Sequence, residues 1–247
     1  MPVHSSMTSS MVVLKDVKLN KPIVLLSFLD NSAIGVMTLK YIIENLKMSQ
    51  FAHVSSPFVP PVTVFVADKL RHPFRLYSDP EGKYCIVLSD IPVDPDGYYE
   101  ISNVIADWLK EINPSFVVNI DGFPVDKVTD GKRIFGVGDK NAIAILQKNK
   151  VPLAQSALIT GMGGAILNES ILRQLPLMSL LAMTLENIPD PAAVLATVET
   201  LNTIFGMKID TAPLKETASK YHEEMKRIMD DYARLQSGDK KPDSMYA

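Results

Sequence analysis

The chain is poor in cysteine, in histidine and in net charge, and each shortage closes off a class of function. A single cysteine, Cys85, stands among 247 residues. No internal disulfide framework can form, the expectation for a chain that folds in a reducing compartment. The four histidines, His4, His53, His72 and His222, have no second histidine three or four positions away and no cysteine beside them. Local spacing therefore offers no metal cluster. The net charge is only −3, which leaves no electrostatic footprint for nucleic acid and no polybasic face for anionic lipid. Long apolar runs are lacking too: 175–185 is interrupted by Pro176 and Ser179 and is too short to span a bilayer. Residues 1–10 carry neither the positive region nor the apolar stretch of a secretory signal. A soluble cytoplasmic protein that binds neither membrane nor nucleic acid is the expectation.

What is present is apolar material, 47% of the residues, enough for one sizeable α/β core. Residues 23–26 read as a buried strand between Pro22 and the polar turn Asp30-Asn31-Ser32. Apolar residues at 36, 39, 42, 43 and 46 predict a helix over 34–46, with Lys40, Glu44 and Lys47 on its other face. Strands are expected at 51–55, 62–66, 74–77 and 84–88, the last two as a hairpin across Asp79-Pro80-Glu81-Gly82. A helix over 98–111 turns Ile101, Val104, Ile105, Trp108 and Leu109 inward and stops at Asn113-Pro114. Strands at 116–120 and 134–137 follow, then a helix over 140–148 capped by Asp139.

Residues 157–167 read as strand, glycine turn and helix, with a strand at 177–181 after them. Pro191 opens a helix to 205 behind a cap at Asp190, and Asp210 or Thr211 caps a last helix through 235. This alternation predicts an α/β fold: a central mixed or mostly parallel sheet with helices on both faces. One α/β domain over 1–235 and a polar tail over 236–247 are expected.

Several residues could carry chemistry. Gly161-Met162-Gly163-Gly164 precedes a helix whose free N–H groups could hold an anion. It lacks the lysine and spacing of a P-loop and does not match the dinucleotide fingerprint. Glycine also serves tight turns for steric reasons alone, and that reading is favoured. Asp121, following the strand at 116–120, sits where open α/β sheets place ligands and is the best catalytic candidate, with no nucleophile or acid partner close in sequence. Asp90, Asp94 and Asp96, flanking Pro92 and Pro95, read as an acidic turn rather than a base or metal set. His53 reads as a core or interface residue and Cys85 as inert core. The proline-rich stretch 51–64 reads equally as a buried connection and as a contact for another subunit. No catalytic, cofactor-binding or metal-binding residue is assigned.

The sharper signal is the ending. A polar stretch, Ser237 to Ser244, is followed abruptly by Met245, Tyr246 and Ala247. Such an end offers one side chain for an apolar pocket, a phenol that both packs and hydrogen-bonds, and a carboxylate to pair with a lysine. A disordered tail of this length reaches about 20 Å, from roughly 5–6 Å × √n. These three residues are the candidate protein-binding site.

Taken in order, Leu29-Asp30-Asn31-Ser32-Ala33-Ile34-Gly35-Val36, Ser55-Ser56-Pro57-Phe58-Val59-Pro60-Pro61, the run from Ile159 to Glu169, Pro189-Asp190-Pro191-Ala192-Ala193 and the stretch from Leu201 to Asp210 carry a resemblance. The chain resembles the archaeal branch of the proteasome assembly chaperone family over roughly residues 20–235. The resemblance implies a fold similar to purine nucleoside phosphorylases, self-association into a homo-oligomer, and binding to proteasome core-particle α-subunits. Some family members end in a hydrophobic-tyrosine-any motif, which Met245, Tyr246 and Ala247 match position by position. On this reading the chain is not an enzyme and uses no cofactor or metal. The alternative is a nucleoside phosphorylase or hydrolase that uses the glycine turn at 161–164 for phosphate and Asp121 as acid or base. An ATP-grasp ligase is a weaker rival, since no lysine-bearing phosphate loop supports it.

Overall fold

The structure, a computed structural model, describes residues 8–29, 32–66, 68–125, 133–184 and 190–236. In chain order its elements are β1 (Ser10–Val13), β2 (Ile23–Phe28), α1 (Ile34–Asn45), β3 (Ser49–Ser55), β4 (Val64–Val66), β5 (Lys69–Arg71), β6 (Phe74–Ser78) and β7 (Tyr84–Ser89). A 3-10 turn at Pro95–Gly97 leads into α2 (Tyr98–Ile112), β8 (Phe116–Pro124), β9 (Ile134–Gly138), α3 (Lys140–Lys148), α4 (Gly161–Leu172), β10 (Leu177–Thr184), α5 (Pro191–Phe205) and α6 (Ala212–Gln236).

Eight strands form one sheet in the order β1-β3-β6-β7-β2-β8-β10-β9, and β4 with β5 makes a separate ribbon. The central strands β7, β2, β8 and β10 run parallel. The outer pairings, β1 with β3, β3 with β6, β6 with β7 and β10 with β9, are antiparallel. The sheet is mixed, and antiparallel pairings outnumber parallel ones. The mostly parallel version of the expectation is thus corrected. β3, β6 and β7 follow one another with no helix between them and pair antiparallel, whereas parallel neighbours need a longer crossover connection.

Alternation along the central strands divides the core in two. Leu25, Ile86, Val118 and Leu180 face a layer of α1, α3 and α5, where Leu39, Ile42, Leu146, Val198 and Leu201 meet them. Val24, Leu26, Val87 and Val117 point the other way, onto Ile101, Ile105 and Leu109 of α2 and Met162 and Ile166 of α4. Strands buried on both sides read as near-continuous apolar runs, which makes them legible in sequence. α1 packs close on the sheet through Gly35: a Cβ there would lie 2.1 Å from Ser27 Oγ and 2.4 Å from the Ile120 carbonyl oxygen.

The expected caps are in place. Asp139 Oδ1 accepts from the Ala142 N–H at 2.8 Å and Asp190 Oδ1 from the Ala193 N–H at 3.0 Å, with Pro191 at the start of α5. Asp210 Oδ1 accepts from the Ala212 N–H at 3.0 Å as α6 begins. Three details differ. Residues 157–160 form no strand, and α4 begins at Gly161 itself. β8 runs four residues beyond the expected end at Ile120. β1 and β5 were not expected, because both are short and mostly exposed and so lack an apolar period.

The antiparallel half holds a buried charge. Arg75 of β6 pairs with Asp90, just beyond β7, and Lys40 Nζ of α1 reaches the same carboxylate at 2.6 Å. His53 on β3 lies opposite Arg75 and stacks on His72, ring centroids 4.7 Å apart.

Candidate functional site

Parallel strands end on a common edge, and here β2, β8 and β10 end beside the first turn of α4. Between them lies a cleft of about 710 Å³, with Phe28, Tyr98, Phe123 and Met162 as apolar walls and Asp121 and Thr160 among its polar groups. This is the position at which open α/β sheets place ligands. Asp121 is not beyond the strand, as the sequence implies, but within it, opposite Leu181 of β10. The side-chain alternation of β8 turns it, like Asn119, toward α4.

The fold brings the two separate sequence candidates together. A Cβ built on Gly163 would lie 3.1 Å from Asp121 Oδ2 and 3.4 Å from both Asn119 amide atoms. Glycine at 163 therefore lets the first turn of α4 settle on β8. Gly161 has φ +67°, a left-handed value that glycine alone takes cheaply. The glycines of the turn accordingly have steric work to do, as the favoured reading held. The positive end of α4 is met by the carboxylate of Asp121, a favourable pairing of charge with helix dipole. Asp121 Oδ1 also accepts from the Gly122 N–H at 3.0 Å. A phosphate entering here would meet like charge.

Asn119, only 1% exposed, donates to Ser179 Oγ at 3.2 Å, tying β8 to β10 beneath the cleft. Sequence reasoning passed over it, although a single amide inside the apolar run Phe116 to Ile120 was the available signal. The Arg75–Asp90 pair was missed likewise, and the reading of Asp90 as part of an acidic turn is corrected: its buried carboxylate lies just past β7 and pairs with Arg75 of β6, a partner that local sequence does not reveal.

The remaining candidates resolve into structural roles. Asp94 Oδ1 accepts from the Asp96 N–H at 3.0 Å and opens the 3-10 turn, so this pair is an acidic turn. Cys85 is fully buried; burial first, and the charge of Asp79 second, push its thiol up to about 12. Burial lowers the pKa of His53. Burial is also the main cause for His72, with His53 and Arg75 adding to the drop and a bond to the Phe74 carbonyl opposing it. The stretch 51–64 divides: Phe51, Val54 and Val59 are buried, whereas 60–63 are exposed and lead to the ribbon, where Phe65 and Leu70 face solvent as a cross-strand pair. His222 is exposed on α6. His4, the turn residues Asp30 and Asn31, and the tail residues Met245, Tyr246 and Ala247 lie outside the described residues.

Among the described residues, no cluster of three or more His, Cys, Asp or Glu side chains could hold a metal ion. No helix among them is long and apolar enough to cross a membrane.

Known proteins share this architecture. A structure from Thermoplasma acidophilum, of a protein of unknown function, is 36% identical with a TM-score of 0.75, covering 90% of this chain and 92% of its own. PbaA of Pyrococcus furiosus, described as an archaeal homolog of proteasome-assembly chaperone, has a TM-score of 0.81 at 24% identity over 94% of this chain and 95% of its own. PbaB of the same organism, described as an archaeal proteasome activator, has a TM-score of 0.77 at 20% identity over 90% of this chain and 99% of its own. An uncharacterized protein of Methanocaldococcus jannaschii is 24% identical over 230 residues, 93% of this chain and 94% of its own length. The likeness to PbaA and PbaB establishes the fold. The family model described as the PAC2 family matches residues 24–229, and the chain belongs to that family.

Proposed function

We propose that this chain is a proteasome assembly chaperone or docking factor that binds core-particle α-subunits, partly through Met245, Tyr246 and Ala247. The observation that carries the reading is the likeness, along almost the whole length of both chains, to PbaA and PbaB within the PAC2 family. The tripeptide supplies a chemistry of contact: a methionine for an apolar pocket, a phenol that packs and hydrogen-bonds, and a carboxylate for a lysine. In a homo-oligomer several tails act together, and the raised effective concentration turns weak ends into useful avidity. This work is cytoplasmic and needs no catalysis and no cofactor.

The test is capture of a proteasome α-ring by the full chain. Tyr246→Ala, or removal of Met245 to Ala247, weakens capture sharply while the unfolding transition stays in place. Undiminished capture by both variants would sink tail docking.

A nucleoside phosphorylase or hydrolase is favoured by one observation, the cleft at the C-terminal ends of the parallel strands. Against it stands the carboxylate of Asp121 at the end of α4 where phosphate would have to bind. A turnover screen with nucleosides and phosphate separates the two readings.

A further inference from the structure

The cleft at the ends of the parallel strands has a chemistry that the proteasome reading does not use. Among the described residues that line it, Asp121 carries the only formally charged side chain, and lysine, arginine and histidine are absent. Three aromatic rings, those of Phe28, Tyr98 and Phe123, stand in the same wall as that one carboxylate.

Strand alternation gives the cleft its depth. Asn119, Asp121 and Phe123 of β8 lie two residues apart and point to one face. Asn119 is the buried floor, Asp121 is half-buried above it, and Phe123, 39% exposed, stands at the mouth. From Asp121 to Phe123 the strand rises about 6.6 Å, at roughly 3.3 Å per residue. A ligand that reaches the carboxylate from solvent therefore passes a ring on the way in. Leu158, 84% exposed, adds apolar surface to the same lining.

Two charges compete at the carboxylate. The N-terminus of α4 amounts to about half a positive charge, whereas Asp121 carries a whole negative one. The carboxylate wins, and the cleft attracts cations. Its Oδ1 accepts from the Gly122 N–H at 3.0 Å, yet a carboxylate has about four lone-pair sites, so that bond does not exhaust it. The walls then select among cations. Ring faces attract an ammonium group, and apolar walls favour the methylenes attached to it. A bare divalent ion needs about six oxygen ligands and gains nothing from such walls.

We propose that this cleft binds a primary alkylammonium group, with the nitrogen at Asp121 and the methylene chain running out past Phe123. The group belongs either to a free alkyl amine or to a lysine side chain of a protein that docks here. The proposal goes beyond the reading above and uses no residue of the tail.

The experiment is calorimetric titration of the full chain, at constant ionic strength, with 1,5-diaminopentane and with Nα-acetyl-lysine amide. At least one of them binds, and pentanoate and 1,5-pentanediol do not. Asp121→Asn weakens binding at least about tenfold, the loss of one charge-assisted contact. Phe123→Ala, at the exposed mouth, weakens it about threefold while the unfolding midpoint stays in place. Glu216→Gln, which removes an exposed carboxylate of α6, changes nothing. Tighter binding of the lysine derivative assigns the site to a protein side chain, and tighter binding of the diamine assigns it to a free amine. Absence of heat with both amines, equal binding by Asp121→Asn, or equal binding of pentanediol overturns the proposal. The proteasome reading fails separately, when the full chain does not capture the α-ring.

Discussion

Arg75 on β6 and Asp90 beyond β7 hold each other beneath the end of Lys40, with side chains only 4% and 6% exposed. The guanidinium is not fully satisfied: its Nε and Nη1 find no hydrogen-bond partner. Such a pair is costly to break and cheap to replace as a whole. Asp90→Ala, which leaves the guanidinium buried without its counter-charge, costs about 3–5 kcal/mol, whereas Arg75→Met with Asp90→Leu recovers most of that loss. Urea unfolding of the three chains checks it. A single variant no more destabilised than the double would show that the pair matters little.

Gly35 is where α1 meets the sheet. An added methyl strikes Ser27 Oγ and the Ile120 backbone carbonyl together, and the backbone cannot rotate away. Gly35→Ala therefore destabilises by about 1–3 kcal/mol, the range for overpacking. Gly206, with φ +64° and nothing within 4 Å of its missing Cβ, meets no such contact. Its replacement by alanine costs only left-handed backbone strain, about 1 kcal/mol. Equal thermal shifts for the two variants would show that α1 can move off the sheet.

The stacked pair His53 and His72 gives a pH dependence with a definite sign. Both folded-state pKa values lie below the ordinary 6.5, chiefly through burial. Between those values and 6.5 the unfolded chain binds more protons, so stability rises with pH in that window. This contribution is constant above 6.5 and declines as acidity carries the chain down through the folded-state values. Unfolding midpoints at about pH 7.5 and about pH 5.5 measure the decline, and His53→Gln with His72→Gln flattens it. An unchanged slope in the double variant would place the titration elsewhere.

Asp121 against the first turn of α4 makes an electrostatic statement that can be inverted. With the carboxylate present, phosphate gives no more thermal stabilisation than chloride at equal ionic strength. Asp121→Asn removes the like charge and leaves the N–H groups of α4 to attract an anion, so a phosphate-dependent rise in Tm emerges. A rise already present in the unsubstituted chain would restore weight to the phosphorylase alternative.

The sequence was most readable where a single segment decides its own structure. The central strands are mostly apolar along their length, so β2, β7, β8 and β10 were expected within a few residues of their bounds. Asp139 and Asp190 lie next to the helices they cap, a relation contained within four residues. β1 and β5 escaped because edge and ribbon strands bury too little to impose a period.

Other features existed only once distant segments met. Strand direction depended on whether a helix or a hairpin made each return, so the balance of parallel and antiparallel pairs was beyond a local reading. Asp121 and Gly163 became neighbours when β8 and α4 packed face to face. Arg75, Asp90 and Lys40 came from β6, the end of β7 and α1. By itself the sequence determined the helices, the buried strands and the chemical character of its final three residues, because periodicity, capping and composition act over short distances. Tertiary structure alone decided which charges were buried together and which glycines could not carry a side chain, because those outcomes depend on surfaces that do not exist until the sheet is built.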